Sequence, residues 1–327
     1  MTALEFFIDK FLTLNRDKAH GEPAPNQPIL LLAVIQLYEN GKIPNNIIFI
    51  TPELTDTFAR IWNALVIAEN KHPQFALPFY HLKNTKGNWW KLIPKSGAEM
   101  WINNKGSMKY FSNLSEAVSH AEIDDTLASL LLDKNTRDIL KNTLLNHYFP
   151  ETKHKMPIYQ GDKYVQQLTN EILNEPVSEY KNLIKEIKKN EKPDLYQVEV
   201  YNRSAIFRRQ IVKIYDETCS ISGLRISAMF TISMVDACHI VPFSKDFDNS
   251  LSNGIALCPN LHRAFDRGLI SVNESYEVML SQSFKENSQS EYSFSRIEGK
   301  TIALPSDKDF WPSLANFEWH RKNVFKK

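Results

Sequence analysis

Cysteine is scarce in this chain, with only Cys219, Cys238 and Cys258 among 327 residues. A small odd number rules out a disulfide framework and predicts a reducing compartment. Neither sign of charge is in excess, because 39 Lys+Arg stand against 38 Asp+Glu. Residues 1–150 hold 15 of each, so neither half is basic overall. Any nucleic-acid footprint therefore has to be a local patch rather than a global field. The opening segment Met1-Thr-Ala-Leu-Glu-Phe-Phe-Ile-Asp-Lys10 spaces its charges too closely for a signal peptide or a membrane span. Repeats and low-complexity tracts are missing as well. These absences predict a cytoplasmic protein with no membrane partner.

What is present reads as an α+β chain of two domains, 43% hydrophobic and 24% charged. Residues 1–20 carry a broad apolar helical face of Leu4, Phe7, Ile8, Phe11, Leu12 and Leu14. The turn-rich stretch Gly21–Asn26 ends it, and a second helix begins with Pro28 in its first turn. A helix over Leu54–Leu65 is capped at Thr51. Aromatic and β-forming residues over Leu77–Ile93, with a Lys86-Gly87-Asn88 turn, predict a hairpin. Helices from Ser115 to Phe149 close a first domain at 1–150. Residues 151–200, with a charged helix over Tyr180–Asn190, read as a helical linker whose lysines form a solvated face. The second domain, 201–327, opens with a helix over Arg203–Glu217. It continues as strand, loop and helix from Met229 to about Phe265 and closes with an amphipathic helix over Phe317–Phe325.

The chemistry-bearing residues lie in this second half. Val235-Asp-Ala-Cys-His-Ile-Val-Pro242 is followed by Asn253-Gly-Ile-Ala-Leu-Cys258 and by His262-Arg-Ala-Phe-Asp266. Hydrolysis of a phosphodiester needs a base to deprotonate water, and the neutral imidazole of His239 suits that task. It also needs a divalent ion, Mg²⁺ or Mn²⁺, against the charge that builds on the phosphate and the leaving oxygen. His262 and Asp266 are four apart, so on a helix they share a face and can grip one ion. Asn253 ties the loop between strand and helix and orients the base.

This order and spacing resembles the HNH (ββα-metal) nuclease motif, which implies a metal-dependent DNA endonuclease. In that family a further metal ligand can sit just before the base histidine, where this chain has Cys238, with Asp236 two residues earlier. On a regular strand both point away from His239, so a bend or bulge is needed for either to reach the metal. Asp236 is the candidate third ligand, and Cys238 is assigned to packing. The helix before the hairpin would bring Arg203, Arg208 and Arg209 toward DNA phosphates. Many such nucleases hold a structural zinc on two Cys-x-x-Cys pairs. Here Cys219 and Cys258 keep only the first member of each pair, so no structural zinc is expected.

The first domain resembles the sulfur-recognising domain of phosphorothioate-dependent HNH restriction endonucleases. The resemblance rests on Ala24-Pro-Asn-Gln-Pro-Ile-Leu-Leu-Leu-Ala-Val-Ile35, Leu77-Pro-Phe-Tyr-His-Leu82 and Gly87-Asn-Trp-Trp90. It implies a greasy cup for the sulfur at Leu77, Pro78 and Phe79, with His81 close by. Asn26 and Gln27 stand where a basic residue or histidine is often found, and an amide bonds phosphate or a base edge without charge. Sulfur is larger and less hydrated than oxygen, so an apolar cup favours it. The implied partner is modified double-stranded DNA, cut by a homodimer with two active sites. Two alternatives stay open: an HNH nuclease whose first domain reads a flipped modified base, using Trp62, Trp89 and Trp90, or binds a protein partner, and a DNA-binding protein that does not cut.

Overall fold

The computed structural model describes residues 1–16, 24–67, 72–103, 107–226, 233–287 and 289–326. It divides into two compact units, residues 1–165 with 191–201, and residues 166–190 with 202–327. Among the described residues no helix is long and apolar enough to cross a membrane.

The first unit is built from α1 (Ala3–Leu12), α2 (Asn26–Glu39), β1 (Ile47–Phe49), α3 (Pro52–Leu65), α4 (Ala76–His81), β2 (Trp90–Pro94), α5 (Glu99–Ile102), α6 (Phe111–Ala117), β3 (Val118–Ile123), α7 (Asp125–Leu132) and α8 (Lys134–Tyr148). Helix α1 starts at a capping box, in which the Thr2 side chain accepts from the Glu5 amide and Glu5 accepts from the Thr2 amide. Helix α3 starts at Thr51 as expected, with Pro52 in its first turn. Helix α2 is apolar all round, so Ile29 through Ile35 are buried on every side and the helix lies inside the unit. It packs on α3, α4, α7 and α8.

Three expectations for this half change. The stretch from Leu77 is not the first strand of a hairpin: it is the helix α4, and the Lys86–Asn88 turn leads only into β2. Tertiary burial overrides β-propensity there, since Phe79 is fully buried against Phe75 and Trp90. The strand β3 interrupts the expected helical stretch, because Val118, Ala121 and Ile123 bury one face of an antiparallel sheet ordered β1-β3-β2. Helix α1 ends at Leu12, short of residue 20, and residues 17–23 lie outside the described set.

The second unit includes most of α9 (Gly161–Asn174), all of α10 (Val177–Asn190) and the C-terminal part of α11 (Pro193–Ile214). Then come β4 (Asp236–His239), α12 (Phe243–Asp246), β5 (Gly254–Leu257), α13 (Pro259–Asp266), β6 (Ile270–Val272), β7 (Val278–Leu280) and α14 (Leu314–Asn323). Within residues 151–200 the α-helices begin only at Gly161, and the stretch is divided between the two units and does not stand apart as a linker. Tyr180 and Ile184, four apart on α10, bury an apolar stripe within the second unit. The expected strand from Met229 begins among residues 227–232, which are outside the described set. Strands β4 and β5 are antiparallel in regular register, Asp236 opposite Leu257 and His239 opposite Gly254.

Candidate active site

Gly254 explains how the hairpin sits on its supporting helix. A Cβ at that position would lie 2.4 Å from Ile211 Cδ1 and 2.7 Å from Phe207 Cζ, so only glycine lets α11 approach β5 this closely. The same Phe207 stacks on the imidazole of His239, ring centroids 4.0 Å apart and 14° from parallel. His239 Nε2 lies 2.8 Å from Asn249 Oδ1. Burial pushes the His239 pKa down to about 4, with the nearby Arg208 charge in the same direction and the Asn249 hydrogen bond opposing. The imidazole is therefore neutral near pH 7, as a proton acceptor must be.

Asn253 is fully buried and spends its side chain on the loop backbone. Its Oδ1 accepts from the Val241 amide at 2.8 Å, and its Nδ2 donates to the Val241 and Asp248 carbonyls at 2.9 and 3.1 Å. It ties the loop after the base strand, and the contact with the His239 side chain is made by Asn249. Nothing in the order of residues marked Asn249.

On the other side of β4 the helix α13 brings its ligands forward. Among the described residues Cys238, His262 and Asp266 form a group whose ligand atoms all lie within 4.8 Å of one another. Asp266 faces both of the others, at 3.4 Å from His262 Nε2 and 3.8 Å from Cys238 Sγ. Asp236 Oδ2 faces the opposite ring nitrogen, His262 Nδ1, at 3.4 Å. Neither a bend nor a bulge is required for this, since both side chains of the regular strand point under α13. Cys238, read as packing, stands in the group, while Asp236 stands behind the ring. Burial, then the Asp266 charge, pushes the Cys238 thiol well above the usual range. A histidine nitrogen, a carboxylate and a sulfur make a donor set that suits a divalent transition ion.

The remaining cysteines also meet. The Ser222 amide donates to Cys219 Sγ at 3.4 Å and its hydroxyl lies 4.0 Å from Cys258 Sγ. Cys258 hydrogen-bonds Cys219, which lowers Cys219 to about 5 and raises Cys258. Ser222 and Leu261 occupy the two positions where a four-thiolate site has its other ligands.

Several nominated DNA contacts are buried. Arg203 is 3% exposed, pairs with Glu171 at 2.6 Å and lies over the Tyr180 ring, so it is a structural ion pair and not a phosphate contact. Arg208 and Arg209 are exposed on α11. Gln27, Pro78 and Phe79 are buried, whereas Asn26, Leu77 and His81 are half-buried. Trp62, Trp89 and Trp90 are core residues, and Trp90 donates its indole N–H to the Phe79 carbonyl at 3.0 Å. They do not form an open aromatic pocket.

Residues 219–273 match the family model described as HNH endonuclease. No curated protein matches the chain. Among solved structures, a modification-dependent TagI restriction endonuclease aligns at 17% identity over 37% of this chain, with a TM-score of 0.28. The aligned part spans 38% of that enzyme's length. The second unit thus carries an HNH nuclease domain, a phosphodiesterase type that uses a divalent metal and acts on DNA.

Proposed function

We propose that the chain is a modification-dependent DNA endonuclease whose second unit cuts and whose first unit reads. One observation carries the cutting half: a neutral His239 on β4 and the group of Cys238 on β4 with His262 and Asp266 on α13 belong to one ββα hairpin tied by Asn253. His239 takes the proton from the attacking water. The ion, Mg²⁺ or Mn²⁺, would be held by His262 and Asp266 with Cys238 Sγ beside them. When bound it would supply positive charge against the phosphate and the leaving oxygen. Asp236, facing His262 Nδ1, orients that ring and is reassigned from ligand to support. Arg208 and Arg209 hold the DNA backbone. The three thiols are free, which fits a reducing cytoplasm. Two copies acting together would cut both strands.

For the first unit the reading is a phosphorothioate in double-stranded DNA. Support comes from the resemblance over residues 24–35, 77–82 and 87–90, and from the placement of two half-buried residues. Leu77 and His81 are four apart on α4, so an apolar side chain and an imidazole stand on one face, suited to a sulfur and to the remaining phosphate oxygens. The buried Phe79 is left out of this cup. Discrimination by one atom should be about 1–3 kcal/mol. The test is cleavage of matched plasmids carrying phosphorothioate, methylated cytosine or no modification. Cutting confined to the first is expected, and equal cutting of all three would remove the sulfur reading while keeping the nuclease.

A further inference from the structure

The base of the hydrolytic reaction is held by a residue outside the set its motif defines. Asn249 lies in the loop between β4 and β5, has no exposed surface, and places its Oδ1 2.8 Å from His239 Nε2. An amide oxygen only accepts, so this contact requires the proton on Nε2 and leaves the Nδ1 lone pair for water. That amide has a second partner. Asn249 Nδ2 donates to the Tyr180 hydroxyl at 3.3 Å, and Tyr180 comes from α10, at a sequence distance of 69 residues.

Helix α10 is well anchored for that purpose. The Tyr180 ring is buried beneath the Arg203 guanidinium, which is paired with Glu171 on α9. At the next position, Lys181 reaches the same loop and pairs with Asp246 at 2.5 Å and with Asp248 at 3.8 Å. The loop carrying Asn249 is therefore pinned from α10 by a hydrogen bond and by ion pairs. Asn253 holds it from within. Helix α10 lies wholly before residues 219–273, the part that matches the nuclease family model.

We propose that Asn249, oriented by Tyr180 of α10, is a positioning residue that fixes the tautomer and ring orientation of His239, so that the nuclease hairpin is complete only with α10 docked. The inference rests on the nuclease reading. A partner of this kind changes activity by about 10- to 100-fold when removed.

The test uses the full chain as wild type, Asn249→Ala, Asn249→Asp, Tyr180→Phe and His239→Ala. Single-turnover cleavage with Mn²⁺, DNA affinity and melting temperature are measured for each. The tautomer of His239 is read from long-range ¹H–¹⁵N spectra of the imidazole, with His239→Ala giving the assignment. Asn249→Ala should cut about 10- to 100-fold more slowly at unchanged DNA affinity, with Nδ1–H signal appearing. Asn249→Asp keeps an acceptor for Nε2–H and can accept from Tyr180, so it should restore most of the rate and the single tautomer. Tyr180→Phe should cost a few-fold and mix the tautomers, and it reads the proposal even if Asn249→Ala does not fold. Wild-type cleavage and an unmixed tautomer in Asn249→Ala or Tyr180→Phe would overturn the proposal. Equal loss in Asn249→Ala and Asn249→Asp, with lowered melting temperature and an unchanged tautomer, would do so as well. A wild-type protein that cuts nothing would sink the nuclease reading instead, with the spectra still deciding the tautomer.

Discussion

Glu171→Gln removes the carboxylate that faces Arg203, a guanidinium only 3% exposed beneath the helices of the second unit. The glutamate side chain is itself only 15% exposed, so water screens the 2.6 Å pair little. Breaking a buried pair from one side costs about 3–5 kcal/mol, because the surviving charge stays desolvated. In a unit of this size each kcal/mol moves the melting temperature by about 2–4 °C, so a fall of about 6–20 °C is expected. The double variant Glu171→Leu with Arg203→Met removes both charges and should recover much of that loss. Calorimetry of the single and double variants reads the first half of the claim. DNA binding at two salt concentrations reads the second, since an Arg203 that touched a phosphate would, once replaced by Met, lower the salt slope by about one. The expected result is a large drop in melting temperature for Glu171→Gln and an unchanged salt slope for the folded double variant. A lowered slope with an unchanged melting temperature would refute the burial argument and return Arg203 to the DNA surface.

His320 of α14 is 1% exposed, stacks on Phe265, donates from Nε2 to the Phe265 carbonyl and accepts at Nδ1 from Ser271. Burial holds its folded-state pKa down to about 4. Between the ordinary value of about 6.5 and that value only the unfolded chain takes the proton. Its contribution is whole above about pH 6.5, is lost on the way down to about 4, and totals about 3 kcal/mol. The gap between urea midpoints at pH 7 and pH 5 should narrow in His320→Phe, the remainder belonging to His239, which burial holds down likewise, and an unaltered pH dependence would contradict this. Gly268 has φ +69° and a Cβ there would lie 2.0 Å from the Val324 carbonyl oxygen, so Gly268→Ala should undock the C-terminal segment and cost well over the roughly 1–2 kcal/mol of the left-handed conformation alone. Gly223→Ala, at φ +70° in open space, should cost only that, and equal losses in the two variants would refute the clash. Asn253→Ala strands the Val241 amide and two carbonyls in a buried loop, an expected loss of about 2–4 kcal/mol in urea melts together with cleavage. EDTA should abolish cleavage and leave the melting temperature unmoved, and a large downward shift would reveal a structural metal.

The residues of the hairpin were legible because their geometry is local. A histidine ending a strand, an asparagine closing a loop, and a His/Asp pair one turn apart on a helix need no knowledge of distant packing. The shared face of Asp236 and Cys238 was legible too, but not that α13 covers that face. Asn249 was hidden in a loop whose path turns on a left-handed Phe247 and on side chains from α10. The charge pattern of residues 151–200 concealed the apolar pair Tyr180 and Ile184, which decides where α10 packs. In the first unit the aromatic run from Leu77 read as strand and pocket, whereas Phe79, Trp89 and Trp90 are consumed by the core. Arg203 read as a DNA contact for the same reason: its partner Glu171 lies 32 positions earlier, out of reach of local spacing.

His239 is proposed as the base of a metal-dependent DNA nuclease. That role is tested most directly by incubating wild type and His239→Ala with the three plasmids in Mg²⁺ or Mn²⁺, with DNA binding measured alongside. Cutting by wild type and none by His239→Ala, at retained DNA affinity, is expected. Cleavage by His239→Ala at the wild-type rate would contradict it.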